Sequence, residues 1–303
     1  MKKLVLTPLL ALWALPAFAQ EGALDVLDGE TLYEDGWLFT AGYEFHLRRG
    51  LLDGSSRVGD PLHQAEETHT AVVSTHYGIL HTLQVGAIVP YVSRVLTLED
   101  PVGPDRLSAQ GLGDVTVYGK WRYYRWDEVG KAMNFSILAG LELPTGADHL
   151  QDKGIVLPAD EQPGSASWDP FIGTAVTYEP GRWRLNALAL YKRVGEGTHE
   201  YKQGNQFFAE LAAGNRFWLE PYPGPFMRAD VMLRYRHEWA DVQGGGPVSN
   251  TGGQLLSLGI NWAFRPQPIY DIQVSVEVPL WEEVRGVQLR NQVAVFVAFG
   301  FRI

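Results

Sequence analysis

The chain contains no cysteine and only 4 methionines in 303 residues. Disulfide frameworks and thiolate metal sites are therefore excluded. Past residue 19 no apolar run approaches the roughly 20 residues a helix needs to cross a bilayer. There is no Walker loop, no GxGxxG on a strand-to-helix turn, no HExxH and no GxSxG. Positive charge is also scarce. Lys and Arg number 25 against 35 Asp and Glu, a net charge of −10 that argues against a nucleic-acid partner. The histidines are scattered. His69 and His76 fall on opposite faces of any strand that holds both, which is poor geometry for a shared metal. No cofactor and no metal site are expected.

What is abundant is glycine (33) and aromatic side chains (10 Trp, 13 Tyr, 13 Phe), a mixture that favours strands and tight turns. The first 19 residues read as a signal peptide. Lys2 and Lys3 form the positive region, Leu4–Leu15 the apolar region, and Ala17-Phe18-Ala19 the cleavage site. Residues 20–36 form an acidic segment, read as a short periplasmic tail; its sharper alternative is a plug entering a lumen. Residues 37–303 carry the fold.

From Trp37 onward the period is two. In Trp37–Arg48 the residues Trp37, Phe39, Ala41, Tyr43, Phe45 and Leu47 share one face, while Glu44, His46 and Arg48 share the other. The pattern recurs in Leu80–Val95, Gly111–Tyr124, Ala132–Pro144, Trp183–Arg193, Asn205–Leu219, Phe226–Trp239, Thr251–Phe264, Ile269–Leu280 and Arg290–Ile303. Glu67–Tyr77 and Trp168–Tyr178 complete twelve strands. On the clear strands, in the registers that best separate the faces, the apolar side holds a single charged residue, Arg193. Facing alone does not separate a soluble sandwich from a membrane barrel, which bury opposite sides.

Connection length does separate them. Arg49–Glu66, Leu96–Gln110, Thr145–Ser167, Val194–Gly204, Ala240–Asn250 and Trp281–Leu289 are each longer than every one of the connections between them. Outer-membrane barrels alternate long external loops with short periplasmic turns. Tryptophans agree: Trp37, Trp121, Trp126, Trp168, Trp183, Trp218, Trp239, Trp262 and Trp281 all fall near strand ends or in connections. Such rings form girdles at the two membrane–water boundaries. The expected fold is all-β, a twelve-stranded antiparallel transmembrane β-barrel of the bacterial outer membrane. Lipids of that membrane would surround it.

The last strand, QVAVFVAFGFRI, resembles the C-terminal signal read by the barrel-assembly machinery, except that it ends in Ile303 with Phe301 two residues earlier. Val85–Val92, Gly111–Tyr124, Gly140–Asp148 and Ser167–Tyr178 resemble the phenol meta-degradation pathway family of outer-membrane barrels, often called transporters. The similarity is clearest from about Val85 to Tyr178. It implies an outer-membrane location and uptake of small molecules, aromatic ones among them, and it assigns no site residues.

The candidate pore-lining residues come from the polar faces. They are Glu44, Asp114, Lys120, Arg122, Glu142, Arg184, Lys192, Glu210, Arg216, Arg228, Asp230, Arg234, Arg236 and Glu277. Two readings stand side by side: a basic wall that focuses anions, or a filled barrel whose charges pair across strands. The acidic loop Thr145–Ser167 is expected to point outward into solvent. The expected function is passive passage of a small-molecule solute, not enzymatic turnover. The rivals are a structural or binding barrel with a blocked lumen, and a lipid-modifying enzyme built on Ser74 and His76, which share a face.

Overall fold

The computed structural model describes residues 28–100 and 103–303. The expected signal peptide, residues 1–19, and the start of the acidic segment lie outside the described residues. Twelve antiparallel strands close into a barrel: β1 (Trp37–Asp53), β2 (Ala65–Leu80), β3 (Leu83–Asp100), β4 (Gly103–Leu112 continued by Val115–Glu128), β5 (Lys131–Leu143) and β6 (Asp169–Pro180). The second half is β7 (Trp183–Lys192), β8 (Gln206–Leu219), β9 (Phe226–Glu238), β10 (Gly253–Gln267), β11 (Tyr270–Val284) and β12 (Val287–Arg302). Each strand pairs with its sequence neighbour. Closure comes from β1 against β12, from Leu38 opposite Arg302 to Asp53 opposite Val287. The Trp37 and Ile303 backbones exchange hydrogen bonds of 2.9 and 3.0 Å, so the barrel's first and last residues meet at the short-turn end.

The two faces expected from the sequence separate in space. Val73, Tyr91, Val117, Leu211, Val231, Ile260 and Leu280 point out and are exposed; Glu44, Thr70, Thr116, Ser136, Thr177 and Ser257 point in and are buried. Pairing of β1 with β12 leaves the barrel wall without a free sheet edge, the condition for strands to cross hydrocarbon. Aromatic side chains ring the short-turn end, where Trp37 packs on Tyr77 and Trp218 stacks on Phe264. Trp168, Trp239 and Trp281 sit at the other end, with Tyr191 edge-on to Trp239.

Several strands run past the membrane thickness. β1 has 17 residues and β3 has 18, where about 9–11 suffice to cross. This corrects two of the expected long loops. The connection between β3 and β4 is a protruding hairpin ribbon, paired from Tyr91 opposite Leu112 to Asp100 opposite Gly103. The one between β11 and β12 is a tight turn with Gly286 at φ +72°. The cause is a small apolar cluster beyond the membrane: Leu51, Leu96 and Leu289 are buried together with Leu98, Leu107 and Val287 against them. Apolar alternation continues there, so the strands do too.

Candidate functional site

The interior is two-sided. One side is apolar: Val72, Ile88, Tyr118, Leu138, Phe171, Ala175, Leu188, Leu190 and Phe208, from β2 to β8, form one buried cluster. Alternation in the sequence assigns the faces of Ile88, Tyr118, Leu138, Leu188, Leu190 and Phe208 as polar, leaves those of Val72, Phe171 and Ala175 ambiguous, and misses the cluster. Its signal was present, since Leu138, Leu188 and Leu190 alternate with residues pointing at lipid. Gly86 makes room for the cluster's polar centre. A Cβ there would lie 2.6 Å from both His76 Nδ1 and the Tyr118 ring.

The opposite side is ionic. On β9, the Arg228 Nε donates to Asp230 at 3.0 Å, and Asn261 of β10 donates to the same carboxylate at 2.8 Å. Arg234 donates to Glu210 of β8 at 2.7 Å and to Glu277 of β11 at 2.7 Å. Arg236 and Ser257 also hold Glu277, and the Arg236 guanidinium lies 5.8 Å over the Phe208 ring, joining the two sides. Elsewhere in the interior Lys192 meets Glu142 at 3.4 Å, and the Glu44 carboxylate contacts His46. These charges meet opposite partners, across strands as at Arg234 with Glu210 and Glu277 or along one strand as at Arg228 with Asp230, rather than standing as an unopposed basic wall.

Between the two sides lies the chain's own N-terminal segment. From Asp28 to Leu32 it runs along the inner wall of the barrel. Asp28 is buried. Its Oδ1 lies 3.0 Å from Lys120 Nζ and its Oδ2 is 2.5 Å from an Arg184 guanidinium nitrogen. Arg184 also reaches Glu30 at 2.7 Å and Glu179 at 2.8 Å, and Arg216 pairs with Glu179. Neutral bonds follow the backbone: Gly29 N to Thr177 at 2.9 Å, Ser136 to Gly29 O at 2.7 Å, and Leu32 N to Gln84 at 2.9 Å. Gln84 donates in turn to the Tyr118 hydroxyl at 3.0 Å, which lies 2.7 Å from His76 Nδ1. Beside Asp28 a small cavity of about 80 Å³ remains, lined among others by Arg184, Arg228, Arg234, Met232 and Phe296.

Two candidate pore-lining residues serve other ends. Asp114 sits at the break in β4 and accepts four hydrogen bonds from the long loop: Thr145 N at 3.0 Å, Gly146 N at 2.7 Å, Ser165 N at 2.6 Å and Ser165 Oγ at 2.7 Å. That ties both ends of loop 144–168 to the barrel. The loop is divided: Gln151, Lys153 and Val156 are exposed, while Leu157, Gln162 and Ser167 are buried. Its Glu161 lies 3.7 Å from Arg94, an inward residue of β3 that also faces Glu66. Arg122 donates to the His81 carbonyl at 2.6 Å, locking the turn between β2 and β3. Ser74 and His76 are 2.9 Å apart, but both are buried on the inner side, away from lipid.

The fold and interior define an outer-membrane-type β-barrel with an inserted N-terminal segment. The chain belongs to the family described as "Putative MetA-pathway of phenol degradation", whose model matches residues 48–294. Among solved structures, the COG4313 outer membrane channel from Pseudomonas putida F1 is similar with a TM-score of 0.69 at 13% identity, over 92% of this chain and 100% of that one. The beta domain of the Bordetella autotransporter BrkA gives 0.48 at 9% identity, over 89% of this chain and 100% of that one. The P. putida toluene transporter TodX gives 0.42 at 9% identity, covering 89% and 90%. No curated protein matches the chain.

Proposed function

We propose that the protein is an outer-membrane channel for passive movement of small solutes, with the inserted segment as its closed-state plug. The observation that carries this is the two-sided interior. An apolar wall that includes Tyr118, Phe171 and Phe208 faces a wall of paired ions such as Arg234 with Glu277. A passage for solutes that combine a ring or short chain with a polar group uses both. The family is described by phenol degradation, and the similar Pseudomonas putida barrel is an outer membrane channel; both support the same reading. Among the described residues no group of three His, Cys, Asp or Glu is placed to hold a metal.

On this reading the mature chain lies in the outer membrane, cut before Gln20 and inserted by the barrel-assembly machinery. Liposome uptake tests the function. Purified protein should admit small aromatic solutes, and removal of residues 20–32 should raise the rate. Uptake no faster than that of protein-free liposomes, with and without that removal, would leave a structural barrel. The mass of the protein from outer-membrane fractions tests the cleavage.

A further inference from the structure

We infer that Lys120 and Arg184 form a carboxylate-binding site in the lumen, which Asp28 fills as a tethered stand-in for a small carboxylate. The inference rests on the channel reading and adds the substrate class.

The Asp28 carboxylate is held as a ligand would be. Each oxygen faces its own cation, Lys120 at 3.0 Å and Arg184 at 2.5 Å, and all three side chains are buried. In this cluster of ion pairs the wall supplies Lys120, Arg184 and Arg216 against its own acid Glu179; Asp28 and Glu30 come from the inserted segment. The segment's backbone is also held by Lys120, whose Nζ donates to the Asp28 carbonyl at 3.5 Å, and by the neutral groups Thr177, Ser136 and Gln84, which water can replace.

Charge then selects the ligand. A buried cation that loses its counter-ion is strongly disfavoured. If the segment leaves and a neutral phenol or hydrocarbon enters, Lys120 and Arg184 lose the carboxylate they share, while Arg184 keeps Glu179. If a carboxylate enters as Asp28 leaves, the pairing is conserved and the exchange is nearly balanced. The adjoining cavity of about 80 Å³, together with the space the segment vacates, receives the rest of the molecule. Met232 and Phe296 line it beside the neutral polar groups Asn186, Asn261 and Gln273, with Arg228 and Arg234 already engaged by Asp230, Glu210 and Glu277. The internal competitor is present at the high effective concentration of a tethered group, so the free ligand must act at about millimolar levels.

The test is equilibrium binding of benzoate, and of neutral benzyl alcohol, to the full-length barrel in detergent, for wild type and Asp28→Asn. Asp28 lies before β1, and heat-shifted gel mobility reports whether the barrel remains closed. Benzoate affinity should rise at least tenfold in Asp28→Asn, while benzyl alcohol stays unchanged. Arg184→Met, added to Asp28→Asn, should abolish the gain. Should Asp28→Asn not fold, benzoate should instead speed thiol labelling of a Thr31→Cys wild-type barrel, with benzyl alcohol inert. Unchanged benzoate affinity, equal response to benzyl alcohol, or equal competition by chloride would each overturn the site. Binding needs no flux, so failure here and failure of liposome uptake are separate results.

Discussion

Asp28 and Arg184 meet at 2.5 Å inside the barrel although 156 positions separate them in sequence. Arg184 is also shared by Glu30 and Glu179, so one guanidinium holds the inserted segment to the wall of β7. Removing one partner of a buried pair costs about 3–5 kcal/mol, and the cost falls on whichever element can move. The closed sheet cannot move; the segment can. In Arg184→Met the segment should leave the lumen while the barrel persists. The chain has no native cysteine, so Thr31→Cys is a clean reporter. Its labelling by a bulky maleimide should accelerate at least tenfold, each tenfold being about 1.4 kcal/mol. An unaltered rate would mean that the neutral bonds alone retain the segment.

Gly29 makes the same point sterically. A Cβ at this residue would stand 2.5 Å from the Asn134 carbonyl oxygen and 2.8 Å from Thr177 N, both backbone atoms of the wall. Neither can withdraw without breaking the sheet. Gly29→Ala should therefore expose the Thr31→Cys thiol with every ion pair chemically intact, and single-channel conductance should rise. Protection equal to the parent would show that the segment has slack.

The strands were legible because each face of the sheet meets one medium along its whole length. Val231, Leu233 and Tyr235 alternate with Asp230, Arg234 and Arg236, and no other arrangement satisfies both sets. The interior was half legible. Arg228, Arg234 and Glu277 announced themselves as charges, but their pairing depends on cross-strand register, which sequence does not state. Leu138, Leu188 and Phe208 were hidden because an apolar residue on the inner face looks like noise in a two-period pattern. The plug was open to either reading, since the acids of residues 20–36 suit a solvated tail as well as a buried ligand. Trp281–Leu289 reads as a loop because Glu282, Glu283 and Arg285 are charged; paired strands beyond the membrane tolerate them.

Asp114 offers a test of loop 144–168. It accepts four hydrogen bonds from the loop, two at Thr145 and Gly146 and two at Ser165. Bonds to a charged acceptor are the stronger kind, and an amide keeps the shape while losing the charge. Asp114→Asn should weaken the anchoring by on the order of 3 kcal/mol. Limited proteolysis within residues 148–161 should then become faster by roughly a hundredfold, since opening governs cleavage. Cleavage at the parental rate would shift the anchoring to the Glu161–Arg94 contact.

Asp241 lies past the end of β9, outside the membrane-spanning segment, and accepts from Gly204 N at 2.7 Å and from the Tyr201 hydroxyl. Burial raises its carboxyl above the ordinary value of 3.8, outweighing those two bonds, which lower it. The folded loops hold the proton more tightly than the opened ones do. Their packing is thus most favoured below pH 3.8 and loses that advantage as pH climbs through the raised value. Hydrogen exchange in residues 200–205 and 241–251, corrected for intrinsic rates, should show protection falling as pH rises from 3.8, with Asp241→Asn removing the slope. Protection that grows over the same range would reverse the sign.

The arginines of β9 separate a paired interior from a basic wall. Arg234 serves Glu210 and Glu277 at 2.7 Å each, and Glu277 is shared with Arg236. A free basic wall would lose anion preference on substitution and keep its stability. A paired interior does the opposite. Arg234→Met leaves two inward carboxylates short of a cation, a loss of about 3–5 kcal/mol, whereas Arg234→Met with Glu210→Leu removes charge of both signs and recovers much of it. Heat-shifted gel mobility should rank parent, double variant and single variant in that order. The reversal potential under a salt gradient should stay close to the parent in the double variant, because the net interior charge is unchanged. A stable single variant with a large cation shift would mean that Arg234 faces water in the membrane and that its carboxylate contacts carry little energy.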